Sequence, residues 1–109
     1  METVAVGRVT LPGFVDLQVN GFVGVDFSDA ALTAEAFRRA CRELLKRGTA
    51  AFLPTVITSP LQRLERNLAL MAPILAEDEF AGRLLGFHVE GPFISSAPGA
   101  VGAHDVASV

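Results

Sequence analysis

Apolar positions along this chain change period several times, and each change marks an element. Residues 14–19 (Phe-Val-Asp-Leu-Gln-Val) follow Pro12-Gly13 and run into Asn20-Gly21, the pattern of a short strand entering a turn. Residues 22–32 hold glycines and aspartates and read as loop. From Thr33, an N-cap type, Phe37, Ala40, Cys41, Leu44 and Leu45 recur at helical spacing, predicting a helix over 34–47 with Gly48 at its exit. Residues 50–57 are continuously apolar, as in a parallel strand covered on both faces, although Pro54 argues against a regular ladder. Ser59, Pro60 and Gln62 fit the N-cap, N1 and N3 positions of a second helix. Leu61, Leu64, Leu68, Met71 and Leu75 form its apolar face, and Pro73 should kink or end it. Residues 84–89 (Leu-Leu-Gly-Phe-His-Val) read as a third strand, and residues 93–109 as loop.

The order strand–helix–strand–helix–strand predicts an α/β fold with parallel strands and right-handed crossovers. Asp16, Gln18 and Asn20 share one side of the first strand by alternation. Gln18, Asn20, Thr58, His88 and Glu90 fall at or near C-terminal strand ends, the edge that carries chemistry in barrels and open sheets.

Composition narrows the function classes. Half of the 109 residues are hydrophobic and 19% are charged, which excludes a disordered chain. A net charge of −3 with no Tyr or Trp argues against a nucleic-acid surface. No apolar run reaches the ~20 residues that span a bilayer. Met1 to Val9 lack the basic start and apolar core of a secretory signal. The single cysteine, Cys41, fits a reducing, cytoplasmic setting and a small core residue on the first helix. Arg38, Arg39, Arg42, Lys46 and Arg47 read as that helix's solvated face, offset by Glu35 and Glu43. Phosphate-binding glycine motifs are absent: Gly21 and Gly24 lack the required spacing.

Two polar clusters stand out. Gln18 and Asn20 face one way from an apolar strand and need partners or a wet cavity; hydrogen-bonded amides at a turn would also account for them. His88 and Glu90 share a face at the end of the third strand, where they could bind a divalent metal or brace a turn as a buried pair. His104, taken alone, reads as a solvated loop histidine.

Taken together, Leu-Pro-Gly-Phe-Val-Asp-Leu-Gln-Val-Asn-Gly (11–21), Gly-Val-Asp-Phe (24–27), Phe-Leu-Pro-Thr (52–55) with Thr58-Ser59, and Gly-Phe-His-Val-Glu-Gly-Pro-Phe (86–93) closely resemble the N-acetylglucosamine-6-phosphate deacetylases of the amidohydrolase superfamily. Gly102-Ala103-His104 falls at that family's Lys-Gly-Ala-His segment, with Val101 in place of the lysine. Residues 95–100 lack the usual lysine too, so the substrate loop is altered. The resemblance implies a (β/α)8 barrel, of which this chain holds the first three strands and two helices. Residues 1–10 would end the N-terminal β-sandwich segment, and 11–109 would begin the barrel. It implies hydrolysis of N-acetylglucosamine 6-phosphate to glucosamine 6-phosphate and acetate, using one divalent ion, zinc or iron.

By the same resemblance Glu90 is a metal ligand, and Ala103 and His104 approach the sugar. Gln18 and Asn20 replace the His-x-His of most amidohydrolases, with His88 as a further second-shell or vestigial position. Amides bind zinc or iron poorly beside imidazole, which fits a single-metal branch. The remaining histidine ligands and the catalytic aspartate are expected beyond Val109. The complete enzyme is expected to be a homodimer acting on a small sugar phosphate, without nucleic-acid or membrane partners. The 109 residues alone are expected to be inactive, without a stoichiometric metal, and to leave an apolar sheet edge for further chain or a partner to cover. The alternatives are another amidohydrolase, such as a cyclic-amide hydrolase, which the missing histidine pair opposes, and a truncated non-catalytic paralogue acting as an interaction module.

Overall fold

A computed structural model describes residues 7–109 of the chain. The main elements are β1 (Phe14–Val19), α1 (Ala34–Leu45), β4 (Thr49–Ile57), α2 (Leu61–Leu75) and β5 (His88–Glu90). Between β1 and α1 lies a small ribbon, β2 (Gly21–Phe22) with β3 (Val25–Asp26), and a 3-10 turn spans Val106–Ser108. Of the expected sandwich segment, residues 1–6 lie outside the described residues and 7–10 form no regular element.

β1, β4 and β5 make one parallel sheet in chain order. β1 joins β4 from Phe14 opposite Thr49 to Val19 opposite Pro54, and β5 joins β4 from Thr55 opposite His88 to Ile57 opposite Glu90. Pro54 is accommodated where the β1–β4 ladder is irregular, between Asp16 and Val19. Phe52 and Val56 of β4 share one core with Phe37, Ala40 and Cys41 of α1 and Leu64, Met71 and Ile74 of α2. Both helices therefore cover the same face of the sheet.

Local chemistry explains the helix ends. Thr33 caps α1 as expected, its hydroxyl accepting from the Ala36 N–H at 3.2 Å. The helix closes at Leu45 rather than at residue 47, with Lys46 as C-cap, and Gly48 takes the left-handed turn (φ 97°) two residues later. The start of α2 differs from expectation: Pro60, not Ser59, is the N-cap and makes no side-chain cap bond. The Ser59 hydroxyl instead donates to the Ile57 carbonyl, while the Pro60 carbonyl accepts from Arg63 and Leu64. Proline has no side-chain oxygen to accept from the first-turn amides, so the helix starts without a hydroxyl cap. Pro73 lies in the last turn, and the helix ends at Leu75.

The third strand is shorter than residues 84–89. Leu84 makes an isolated bridge to Phe52, Gly86 then takes a positive φ, and regular pairing resumes only at His88. The expected loop 22–32 hides the β2–β3 ribbon, whose turn Val23-Gly24 has φ of 47° and 79°, the signs of a type I′ hairpin turn.

Two acidic residues that follow α2 hold the basic face of α1. Arg38 grips Glu77 with Nε and Nη2, and Arg42 reaches Glu79 at 3.0 Å. Hydrogen bonds from those guanidinium groups hold both carboxyls below the usual glutamate range. The face is thus an ion-paired seam as well as a solvated surface.

Cys41 is fully buried, and burial pushes its thiol up to about 12. Only the thiolate reacts with alkylating reagents. Cys41 is expected to resist iodoacetamide in the native chain and to react on unfolding in urea, read by mass spectrometry; rapid native labelling would contradict the packing. No helix among the described residues is long and apolar enough to cross a membrane.

Candidate functional site

The C-terminal ends of β1, β4 and β5 open onto a cavity of about 480 Å3, lined by Gln18, Asn20, Ile57, Glu90 and the loop from Ala100 to His104. Val19 is buried in the core, so alternation turns its neighbours Gln18 and Asn20 away from the helices. Parallel pairing of Ile57 with Glu90 then brings the end of β5 beside the end of β4.

Glu90 is the hub. Its Oε2 accepts from Gln18 Nε2 at 3.0 Å, and its Oε1 lies 3.2 Å from His104 Nε2. Gln18 Nε2 also lies 3.5 Å from Asn20 Oδ1. The other His104 ring nitrogen, Nδ1, lies 2.8 Å from Thr58 Oγ1, which is also 3.3 Å from the Glu90 carbonyl oxygen. His104 is therefore no free loop histidine: its side chain is only 13% exposed. Asp16 accepts from the Gln18 backbone N–H and does not line the cavity.

Three sequence motifs thus converge: Gln-x-Asn on β1, Glu-Gly-Pro at the end of β5, and Gly-Ala-His in the last loop. His88 stays apart. It pairs with Thr55 in the sheet, does not line the cavity, and its ring makes no hydrogen bond among the described residues. The imidazole that meets Glu90 comes from residue 104 instead. Side chains two apart on a strand point the same way without touching, whereas the loop folds back over the strand ends. Sequence spacing missed Thr58 as a partner of His104, since the pair is joined only through the fold.

Gly91 makes that approach feasible. Its φ is 91°, and a Cβ there would lie 1.9 Å from Thr58 Oγ1. Gly91→Ala is expected to destabilise the chain by ~1–3 kcal/mol and to separate Thr58 from β5. Urea unfolding checks this, and an unchanged midpoint would show that the contact yields freely.

Glu90 and His104 supply two donors, and no group of three or more His, Cys, Asp or Glu suited to a metal occurs among the described residues. A catalytic zinc takes at least three protein ligands. Glu90 and His104, one carboxylate and one imidazole, fall short of that number among the described residues.

No family model matches the chain. Individual proteins do. It is 44% identical over 94 residues to the N-acetylglucosamine-6-phosphate deacetylase of Caenorhabditis elegans, covering 83% of this chain and 22% of that protein. It is 38% identical over 90 residues to the enzyme of that name from Homo sapiens, covering 82% and 22%. The crystal structure of N-acetylglucosamine-6-phosphate deacetylase from Pasteurella multocida superposes with a TM-score of 0.74 at 32% identity, covering 89% of this chain and 24% of that one. The chain therefore spans about a fifth of the length of the curated relatives it matches.

Proposed function

We propose, from the premise that this chain belongs with the N-acetylglucosamine-6-phosphate deacetylases over the stretch it shares with them, that its cavity is one wall of a site hydrolysing N-acetylglucosamine 6-phosphate to glucosamine 6-phosphate and acetate. The observation that carries this reading is the meeting of Gln18, Glu90 and His104 at one strand-end cavity, from three separated motifs. The sheet runs in chain order with both helices on one face, which supports residues 11–109 as the opening of a (β/α)8 barrel. A doubly wound sheet would instead reverse its strand order and use both faces.

In this reading Glu90 gives one oxygen ligand to a divalent ion, zinc or iron, whose other ligands lie outside the described residues. Gln18 holds the second carboxylate oxygen, and Asn20 sits beside Gln18. His104 and Ala103 line the sugar side of the cavity. His88 keeps a supporting place in β5. The setting is cytoplasmic and the assembly a homodimer, with a sugar phosphate as the small-molecule partner.

Exposed apolar residues on both faces of β1 bear on the interaction-module alternative. Phe14 is 75% exposed and Leu17 64%, so this strand is built to be covered. Covering by further barrel strands serves the deacetylase reading equally well.

The test is acetate release from N-acetylglucosamine 6-phosphate by the protein that carries this chain, with unphosphorylated N-acetylglucosamine alongside. Turnover of the phosphorylated sugar is expected. Failure with it, together with turnover of a cyclic amide, would move the chain to another amidohydrolase activity.

A further inference from the structure

We propose that a second cavity, at the sheet edge opposite the strand-end site, binds a phosphate group through Arg83 and Lys46. Its volume is about 250 Å3, and Arg42, Leu45, Lys46, Glu79 and Arg83 line it. Arg42, Leu45 and Lys46 stand at the C-terminal end of α1, just before β4 begins at Thr49. Arg83 directly precedes Leu84, which bridges to Phe52. These are the N-terminal ends of the strands, whereas Gln18, Glu90 and His104 gather at the C-terminal ends. The proposed deacetylation makes no use of this cavity, and the phosphate site does not rest on it.

Three cations and one carboxylate line the cavity, an excess of two positive charges. The carboxylate is already matched, since both Glu79 oxygens accept from Arg42. Lys46 is less committed. Its Nζ lies 3.2 Å from Glu43, but Glu43 also accepts from Arg47 at 2.7 Å. Hydrogen bonds from Arg47 first, and Lys46 second, hold the Glu43 carboxyl below its usual range. Lys46 can therefore turn to a ligand while Arg47 keeps Glu43 paired. The Lys46 side chain is 68% exposed, and exposed ion pairs hold weakly.

Arg83 is the anchor. Its Nε donates to the Ala50 carbonyl at 3.1 Å, which fixes one edge of the guanidinium. Its two Nη groups make no hydrogen bond among the described residues, and such N–H groups form a fork that suits a phosphate. The C-terminus of α1 brings about half a negative charge, which reduces the excess without reversing it. A carboxylate ligand would leave one cation unmatched, whereas a phosphate ester carries close to two charges at neutral pH. The cavity is smaller than those that enclose drug-sized molecules, so it suits a phosphate group with little attached. A ligand held there would tie the end of α1 to the segment leading into β5, the strand that carries Glu90.

Lys46 is the single lysine of the 109 residues, which makes it a reporter. The experiment follows its acylation by N-hydroxysuccinimidyl acetate in the protein that carries this chain, read on the Lys46 peptide by mass spectrometry. Inorganic phosphate and glycerol phosphate are the probes, each set against sodium chloride at equal ionic strength to remove plain screening. Phosphate at about ten times its Kd is expected to slow acylation roughly tenfold. Arg83→Gln should abolish the protection, and Arg83→Lys should keep part of it, retaining the charge but not the fork. Protection by inorganic phosphate alone marks a site for the free ion, and protection by both marks a site for esters; either supports the proposal. Equal rates in phosphate and chloride, or full protection in Arg83→Gln, overturn it. The wild-type comparison decides even if a variant fails to fold. Acetate release is not read here, so failure of the deacetylase reading would show separately.

Discussion

Under the proposed deacetylase function, Glu90→Gln is expected to reduce acetate release from N-acetylglucosamine 6-phosphate by ~100-fold or more in the protein that carries this chain. Among the described residues this carboxylate is the one acidic side chain lining the cavity, and it contacts both Gln18 and His104. Glutamine keeps the shape but removes the charge and turns one oxygen into a donor, which then confronts the Gln18 or His104 N–H. The fold should survive. The Glu90 side chain is a third exposed, and such pairs contribute at most ~1 kcal/mol. Steady-state kinetics beside a urea melt separate the two effects. Retained turnover in a folded variant would remove Glu90 from the reaction.

The largest effect on stability is expected at Phe52. Its side chain is fully buried at the centre of β4, between the two helices and the sheet. Its backbone N–H donates to the Arg83 carbonyl at 2.8 Å, and its carbonyl accepts from Leu85 at 3.1 Å. Phe52→Ala leaves those bonds in place and empties the core around them. Such truncations cost ~3–5 kcal/mol. Against a domain stability of ~5–15 kcal/mol, that is a large share. Thermal denaturation should show a Tm lowered by ~12 °C or more. A shift of a few degrees would mean that Met71 and Phe37 close over the gap.

The strands and helices were legible because their signals are local and repeated. Thr33 and the spacing of Phe37, Ala40 and Cys41 announce α1, and the unbroken apolar run announces β4. Boundaries failed where one residue had two uses. Ser59 looks like a cap, but its hydroxyl serves the strand it leaves. The β2–β3 ribbon was hidden because its strands have two residues each and Val23 occupies a left-handed position that a β-branched side chain rarely takes.

The site was legible residue by residue but not pair by pair. Gln18, Glu90 and His104 all stand in recognisable motifs, yet periodicity would pair Glu90 with His88, two positions away. The fold pairs it with His104 instead, fourteen residues on. Thr58 joins from a third segment through a contact only Gly91 permits. Likewise Glu77 and Glu79 give no hint in sequence that they hold Arg38 and Arg42. Contacts made by loops returning over a sheet carry no period, so a single sequence cannot display them.

The chain order of the sheet also sets a timetable for synthesis. Phe14 meets Thr49, and Thr55 meets His88, so each strand waits for a nearly equal length of chain before its partner exists. The entropy of closing each loop is therefore similar, rising only slowly with length. Within each interval a helix is completed first, α1 before β4 and α2 before β5. As the polypeptide leaves the ribosome, the apolar β1 strand spends one helix's worth of translation with no β4 beside it. The growing sheet can add each strand to an edge already laid down, so translation itself can order the assembly of the three-stranded unit.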